Sequence, residues 1–128
     1  MIDAPDQFAR AFAAAFGAQD AHAIAAMLMP AAGMLTLTGQ WANTPDEAQL
    51  LLEAEFAGAL GRARLVTGRV ALTAVGSDVV VVHQRYVVTG AVDAEGRELP
   101  RIAAILAATI AITPEGWRAA SLCLSPLS

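Results

Sequence analysis

The sequence predicts an α+β fold in which helices cover a mostly antiparallel sheet. Three observations predict it: large apolar residues recur at helical spacing before Gly61, a helix-capping sequence begins at Thr44, and apolar runs separated by turns follow Gly61. A chain of 128 residues has the length of one domain, so we expect residues 1–128 to share one hydrophobic core.

The first helix is predicted from the spacing of its aromatic residues. Phe8, Phe12 and Phe16 lie four residues apart among alanines, which places the three rings on one stripe of a helix. The helix should cover residues 4–17 and end at Gly17, since glycine is favoured at helix ends. The stripe is expected to form one wall of the core.

A second helix and the first strand follow. Asp20 is a suitable N-cap for a helix that should continue until Pro30 ends it. After a loop, residues 34–41 alternate apolar and polar side chains, which predicts a strand running up to Trp41.

The third helix has the clearest local signal. Residues 44–47 read TPDE, in which threonine is the N-cap, proline the first helical residue and glutamate the third. Its buried stripe should consist of Ala48, Leu52, Phe56 and Leu60. Glu53 and Glu55 should lie away from the centre of that stripe, and Gly61 should end the helix.

Four strands are predicted in the second half of the chain. They cover residues 63–75, 79–90, 101–112 and 117–124, with polar or glycine-containing turns between them. Consecutive strands joined in this way form an antiparallel meander.

Two of these strands are apolar on both faces, so each face should be covered. On the third strand of the meander one parity carries the bulky residues Ile102, Leu106, Ile110 and Ile112, whereas the other carries mainly Ala103, Ala107 and Ala111. We expect the bulky parity to meet the helices. The alanine parity should pack against the sheet of a second copy, which gives an isologous homodimer.

Composition excludes several classes of function. The net charge is −4 and the arginines do not cluster, which disfavours binding to nucleic acid or to an anionic membrane. No apolar run approaches the length of a membrane span, and acidic residues stand at the start where a signal peptide needs basic ones, so we expect a cytoplasmic protein. Cys123 is the single cysteine, and we expect no metal and no cofactor.

The order of elements, together with three stretches of sequence, resembles the NTF2-like superfamily over nearly the whole chain. The stretches are FARAFAAAFGAQDAHAIAAM, GSDVVVVHQ and GWRAAS, and they are most similar to small bacterial SnoaL-like and SgcJ/EcaC-type proteins. This group includes ketosteroid isomerase. The resemblance implies a cystatin-like cone in which a curved sheet wraps around helices and leaves an apolar pocket at its open end. It also implies that dimers are common.

The catalytic positions of the isomerase, when carried over, do not fit this chain. The hydroxyl donor falls on Phe12, the carboxylate base near Thr36, and the protonated acid near Ala108. None of these residues can take the corresponding role, so the resemblance implies the fold without that activity.

Aligning GSDVVVVHQ with the same strand of the family places four side chains on the cavity side: Val81, His83, Arg85 and Val87. Gln84 and Tyr86 would then lie on the outer face. Histidine is suited to acid–base chemistry near neutral pH, so His83 is the candidate general acid or base. Arg85 could hold a carboxylate, phosphate or enolate oxygen.

Two other interpretations of this pair stay open. His83 could be a neutral core residue bonded to a backbone carbonyl, with Arg85 paired to an acid of the third helix such as Asp46, Glu53 or Glu55. The pair could also bind a ligand without chemistry. The candidate binding residues around it are Phe12, Phe16, Phe56, Val81, Val87, Leu106 and Ile110, with Trp41 at the rim.

The resulting functional hypothesis is binding of a small hydrophobic molecule in the cone, with cofactor-free isomerase, cyclase or dehydratase chemistry in which His83 moves a proton. The alternative is a non-catalytic dimerisation or association domain whose cavity is filled by its own side chains.

Overall fold

The computed structural model describes residues 1–127 and places the helices ahead of most strands. The helices are a short 3-10 helix (Pro5–Gln7), α1 (Phe8–Gly17), α2 (Ala21–Ala26) and α3 (Pro45–Phe56). The strands are β1 (Leu28–Leu35), β2 (Trp41–Ala42), β3 (Arg64–Val75), β4 (Val79–Thr89), β5 (Ile102–Thr113) and β6 (Gly116–Pro126). The predicted α+β class is confirmed.

The six strands form one mixed sheet in the order β2-β1-β6-β5-β4-β3. The pairs from β3 to β6 are antiparallel, which confirms the predicted meander, and β1 runs parallel to β6. The sheet is open, with β2 and β3 at its two edges. Helix α1 lies against β3, and α3 lies against β1, so the helices cover one face.

Helix α1 has the predicted aromatic stripe. Phe8, Phe12 and Phe16 are 0–1% exposed, and the ring of Phe12 stacks on that of Tyr86 with 6.5 Å between centroids. The Tyr86 hydroxyl donates a hydrogen bond to the Ala9 carbonyl at 2.6 Å, which joins β4 to α1. The aromatic residues therefore fill the space between this helix and the sheet.

Helix α2 is shorter than the sequence suggested. Asp20 caps it as predicted and accepts a hydrogen bond from the Ala23 backbone N–H at 3.0 Å. The helix ends at Ala26, however, and Pro30 lies within β1 instead of ending the helix. The pairing of β1 with β6 shifts register between Leu28 and Gly33, and an irregular stretch of this kind tolerates the missing N–H of proline.

Helix α3 begins at its predicted capping residues. Thr44 Oγ1 accepts from the Glu47 backbone N–H at 3.2 Å, and Glu47 Oε2 accepts from the Asn43 backbone N–H at 2.6 Å. The helix ends at Phe56, before the predicted Gly61. Glu55 is 7% exposed, so its expected position away from the buried stripe is wrong.

The two faces of the sheet are assigned by the register of β4 against β5. On β5, Leu106 and Ile110 face the helices and are fully buried as predicted, whereas Ile102 and Ile112 of the same predicted parity are 40% and 46% exposed at the ends of the strand. Val82 pairs with Ala108, so even-numbered residues of β4 share the helical side with even-numbered residues of β5. The predicted parity of β4 is therefore wrong.

A shift of one residue reverses every side chain of a strand, so this correction affects four candidate residues together. Gln84 and Tyr86, expected outside, are 3% and 1% exposed on the helical side. The outer face instead receives Val81, His83, Arg85 and Val87.

None of the helices within residues 1–127 is both long and apolar enough to cross a bilayer.

Candidate functional site

The predicted site residues do not come together in one place. Phe12, Phe16, Leu106 and Ile110 are 0–1% exposed in the core. Phe56 is half-buried beside them, and its ring meets that of Phe16 edge to face at 5.3 Å. The remaining members of the set, Val81, His83, Arg85, Val87 and Trp41, lie on the other side of the sheet or at its edge.

His83 and Arg85 are exposed on the outer face. His83 stands between Ala71 of β3 and Ala107 of β5, and Arg85 stands beside Ile105 of β5. Within residues 1–127 neither side chain makes an ion pair or a hydrogen bond. The expected pairing of Arg85 with an acid of α3 is therefore absent as well, because α3 lies on the opposite side of the sheet.

Trp41 lies at the far edge of the same outer face. It pairs with Leu35 of β1, and a Cβ atom added at Gly33 would be 2.7 Å from its indole ring. Glycine at position 33 thus lets the ring lie against the strand. The indole Nε1–H donates to Asn43 Oδ1 at 2.8 Å, and the side chain remains 56% exposed. The predicted rim residue is an exposed edge residue of the sheet.

The outer face is defined here by the outward residues of four strands: Val66, Ala71, Thr73 and Val75 of β3, Val79, Val81, His83, Arg85 and Val87 of β4, Ala103, Ile105, Ala107, Thr109 and Ala111 of β5, and Ser121, Cys123 and Ser125 of β6. Strands β3 to β6 contain no aspartate or glutamate. Burial raises the pKa of the Cys123 thiol, as expected for a thiol in apolar surroundings. The face carries mainly small or branched apolar side chains, together with His83 and Arg85, and has no carboxylate.

A polar cluster that sequence analysis missed lies between β1 and α3. Thr38 Oγ1 donates to Glu55 Oε2 at 2.9 Å, and the Thr36 and Thr38 hydroxyl oxygens are 3.4 Å apart. The other carboxylate oxygen, Glu55 Oε1, is buried and has no hydrogen-bond partner within residues 1–127. The residue spacing of α3 gave no sign that Glu55 is buried, because its hydrogen-bond partner, Thr38, lies in a turn outside the helix.

A second feature that the sequence did not reveal is a cleft between the start of α1 and β3, called the Gln84 cleft below. Its volume is about 240 Å³, and it is lined by Pro5, Asp6, Ala9, Arg10, Thr67, Gly68, Val70, Leu72 and Gln84. It is separate from the predicted pocket, because its lining includes none of the predicted binding residues.

Comparison with known proteins shows the fold. No family model matches the chain, and no curated protein matches it. Among solved structures, an NTF2-like protein with a cystatin-like fold from Novosphingobium aromaticivorans superimposes with a TM-score of 0.76 and 18% identity, covering 95% of this chain and 79% of that one. The predicted NTF2-like, cystatin-like fold is confirmed.

Two further solved structures have names that suggest different functions. One, from Xanthomonas campestris, is named provisionally as a calcium/calmodulin-dependent protein kinase II association domain; it has a TM-score of 0.79 and 14% identity, covering 95% of this chain and 84% of that one. The other, a ketosteroid isomerase-like protein from Erwinia carotovora, has a TM-score of 0.79 and 18% identity, covering 96% and 93%. The fold is therefore shared by proteins named for association and for catalysis.

Proposed function

We propose that this chain is an association domain, in which two copies join through the outer faces of their sheets. The observation that carries the proposal is the outer face itself: a broad, largely apolar surface without a carboxylate and without a covering helix. The catalytic alternative required His83 and Arg85 to lie beside the aromatic residues. His83 and Arg85 lie on the outer face, however, and the aromatic residues lie on the helical side of the sheet.

A filled interior supports the same choice. The rings of Phe12 and Phe16 are 6.2 Å apart, and Phe12 also stacks on Tyr86. Aromatic side chains at these distances occupy the volume that a ligand chamber would need. The Tyr86 hydroxyl already donates to the Ala9 carbonyl, so it is not free to donate to a ligand.

The outer face has the size that a stable dimer requires. Four strands about 4.8 Å apart and eleven residues long, at about 3.3 Å per residue, present a surface of roughly 700 Å². A standard interface buries about 800 Å² on each partner. These four strands therefore supply nearly the whole area.

The chemistry of the face favours a second copy over a charged partner. A two-fold axis places the same surface on both sides, so apolar residues such as Ile105 and Val81 meet apolar residues. Alanine and serine at the neighbouring positions leave the surface flat. Arg85 has no acid of the partner's strands to pair with, so its guanidinium is best accommodated where water still reaches it.

The name of the Xanthomonas protein, which refers to an association domain, adds support at the level of fold. Because that protein is only 14% identical to this chain, its name supports the fold alone. The proposal rests on the surface features described above.

The test is the oligomeric state of matched charge variants. Ile105→Glu introduces a carboxylate on the outer face, and Leu50→Glu introduces the same group on α3, where Leu50 is 68% exposed. Light scattering after size exclusion should give twice the chain mass of 13.2 kDa for the unaltered protein and for Leu50→Glu. Ile105→Glu should be monomeric with an unchanged circular dichroism spectrum. A monomeric unaltered protein, or a dimeric Ile105→Glu, contradicts the proposal.

A second measurement locates the interface. Cys123 is the only cysteine and lies on the outer face between Ala107 and Leu35. Its reaction with a thiol reagent should slow as the protein concentration rises, because association covers it. A dimer whose Cys123 reacts equally fast at every concentration uses another surface.

A further inference from the structure

We propose that the Gln84 cleft binds a small, neutral molecule that donates one hydrogen bond to the side-chain oxygen of Gln84 and covers the apolar side chains of Val70 and Leu72. The cleft lies on the helical side of the sheet, opposite the association surface. The proposal therefore does not depend on dimer formation.

The orientation of the Gln84 amide is fixed by its nitrogen. Nε2 donates to the carbonyl oxygens of Gly68 at 3.0 Å, Arg69 at 3.3 Å and Arg85 at 2.8 Å. Rotating the amide by half a turn would point its oxygen at three other oxygens, so the nitrogen must occupy this position. The side-chain oxygen is consequently held in one place.

The β3 strand provides this arrangement through an irregularity. The pairing of β3 with β4 shifts register between Thr67 and Val70, and two of the three carbonyl groups that accept from Gln84, those of Gly68 and Arg69, lie within this shift. A Cβ atom at Gly68 would come within 3.2 Å of the Arg85 carbonyl oxygen, so glycine suits this close approach. Bulges often redirect groups toward functional sites.

The Gln84 oxygen has no hydrogen-bond partner of its own within residues 1–127, although the residue is only 3% exposed and borders the cleft. Among residues 1–127 the fully buried side-chain atoms without a partner are Glu55 Oε1 and Arg118 Nε, so Gln84 Oε1 is open to the cleft, where water or a ligand can donate to it. An N–H or O–H group entering the cleft would satisfy it.

The walls of the cleft indicate the rest of the ligand. Val70 and Leu72 are 48% and 42% exposed, and Ala9 and Pro5 face them across the cleft. An apolar molecular body would cover these side chains. The lining also includes one acid, Asp6, and one base, Arg10, so the cleft has no net preference for a charged ligand. The volume of about 240 Å³ is close to the lower end of ligand pockets, which indicates a small ring compound.

The test compares two simple probes by two-dimensional amide NMR. Phenol carries an O–H donor, whereas anisole keeps the ring and the oxygen but has no hydrogen to donate. Phenol should shift the backbone signals of Gly68 and Val70 and the side-chain amide of Gln84. Anisole should bind roughly fivefold more weakly, the factor that corresponds to a hydrogen bond of about 1 kcal/mol.

Matched variants of β3 locate the binding. Val70→Thr alters the apolar wall at the residue that pairs with Gln84, and Val66→Thr makes the same change on the outer face, where Val66 is 53% exposed. Only Val70→Thr should weaken phenol binding. Absence of phenol-induced shifts, equal affinity for phenol and anisole, or equal effects of the two variants overturns the proposal and leaves Gln84 as a structural support of the bulge.

Discussion

The two faces of β4 and β5 have similar apolar sequences but very different surroundings. On the helical face Val82, Tyr86 and Leu106 are 0–1% exposed beneath α1. On the outer face His83 is exposed and Ile105 is half-buried, with no helix above them. A strand that is apolar on both sides therefore indicates that both faces need cover, but it does not indicate what covers each one.

The difference in side-chain size between the faces has a physical reason. The space between the helical face and the helices is filled by tyrosine, leucine and isoleucine of the strands and by the phenylalanine rings of α1. The outer face carries alanine and serine beside a few branched residues, which gives a flat surface suited to another sheet. Size, more than hydrophobicity, distinguishes the two faces.

The largest expected effect separates adjacent residues of β5. Leu106→Ala should lower the free energy of unfolding by about 2–5 kcal/mol, because it removes a fully buried side chain and leaves a cavity. Ile105→Ala should cost less than about 1 kcal/mol at low protein concentration, since that side chain is only half-buried in one copy. Denaturant unfolding followed by circular dichroism measures both values.

Protein concentration sharpens this comparison. If the outer face is an interface, the destabilisation by Ile105→Ala should grow as the concentration rises, because the unaltered protein gains stability from association. The effect of Leu106→Ala should stay the same. Equal costs for both variants at low concentration would mean that the two faces do not differ in burial.

An intermediate effect is expected from Tyr86 at alkaline pH. Burial raises the pKa of Tyr86 well above the ordinary value of about 10. Below about pH 10 the tyrosine is protonated in both the folded and the unfolded chain, so its contribution to the free energy of unfolding is fully present. As the pH rises above it, only the unfolded chain loses the proton, and the free energy of unfolding should fall by about 1.4 kcal/mol per pH unit.

The composition makes this titration easy to observe. Tyr86 is the only tyrosine and the sequence has no lysine, so tyrosinate absorbance reports one residue. A Cys123→Ser background removes the thiol that titrates in the same range. Tyr86→Phe should abolish the alkaline slope. Ionisation of Tyr86 near pH 10 in the folded protein, without unfolding, would show that the helical face is open to water.

The parts of the fold set by local interactions could be predicted from the sequence. The aromatic spacing of α1 and the capping residues of α3 act within one or two helical turns. The aromatic stripe of α1 is buried and α3 begins at its cap as expected, although α1 itself begins at Phe8, after a 3-10 turn, and not at residue 4. The boundary between α2 and β1 could not be predicted, because it depends on pairing with β6, more than eighty residues away along the chain. Pro30 indicates a helix end locally but lies in an irregular strand.

The parity of β4, on which the candidate site depended, could not be predicted for a related reason. Residues 79–82 are four valines, so they contain no information about which parity faces the helices. The residues that decide it, Gln84 and Tyr86, have their bonding partners in β3 and α1. One signal was present nonetheless: a buried arginine needs an acid, and the strands of the meander contain none, so the parity of Arg85 should face outward.

The smallest expected effect tests that parity directly. His83→Gln should change the free energy of unfolding by less than about 0.5 kcal/mol, because the imidazole is exposed and makes no hydrogen bond within residues 1–127. The neighbouring change Gln84→Leu should cost several times more, since it leaves the carbonyls of Gly68 and Arg69 without their donor. Thermal unfolding of both variants at low concentration gives the comparison. A large loss from His83→Gln would mean that residue 83 is buried, and the association surface would then have to lie elsewhere.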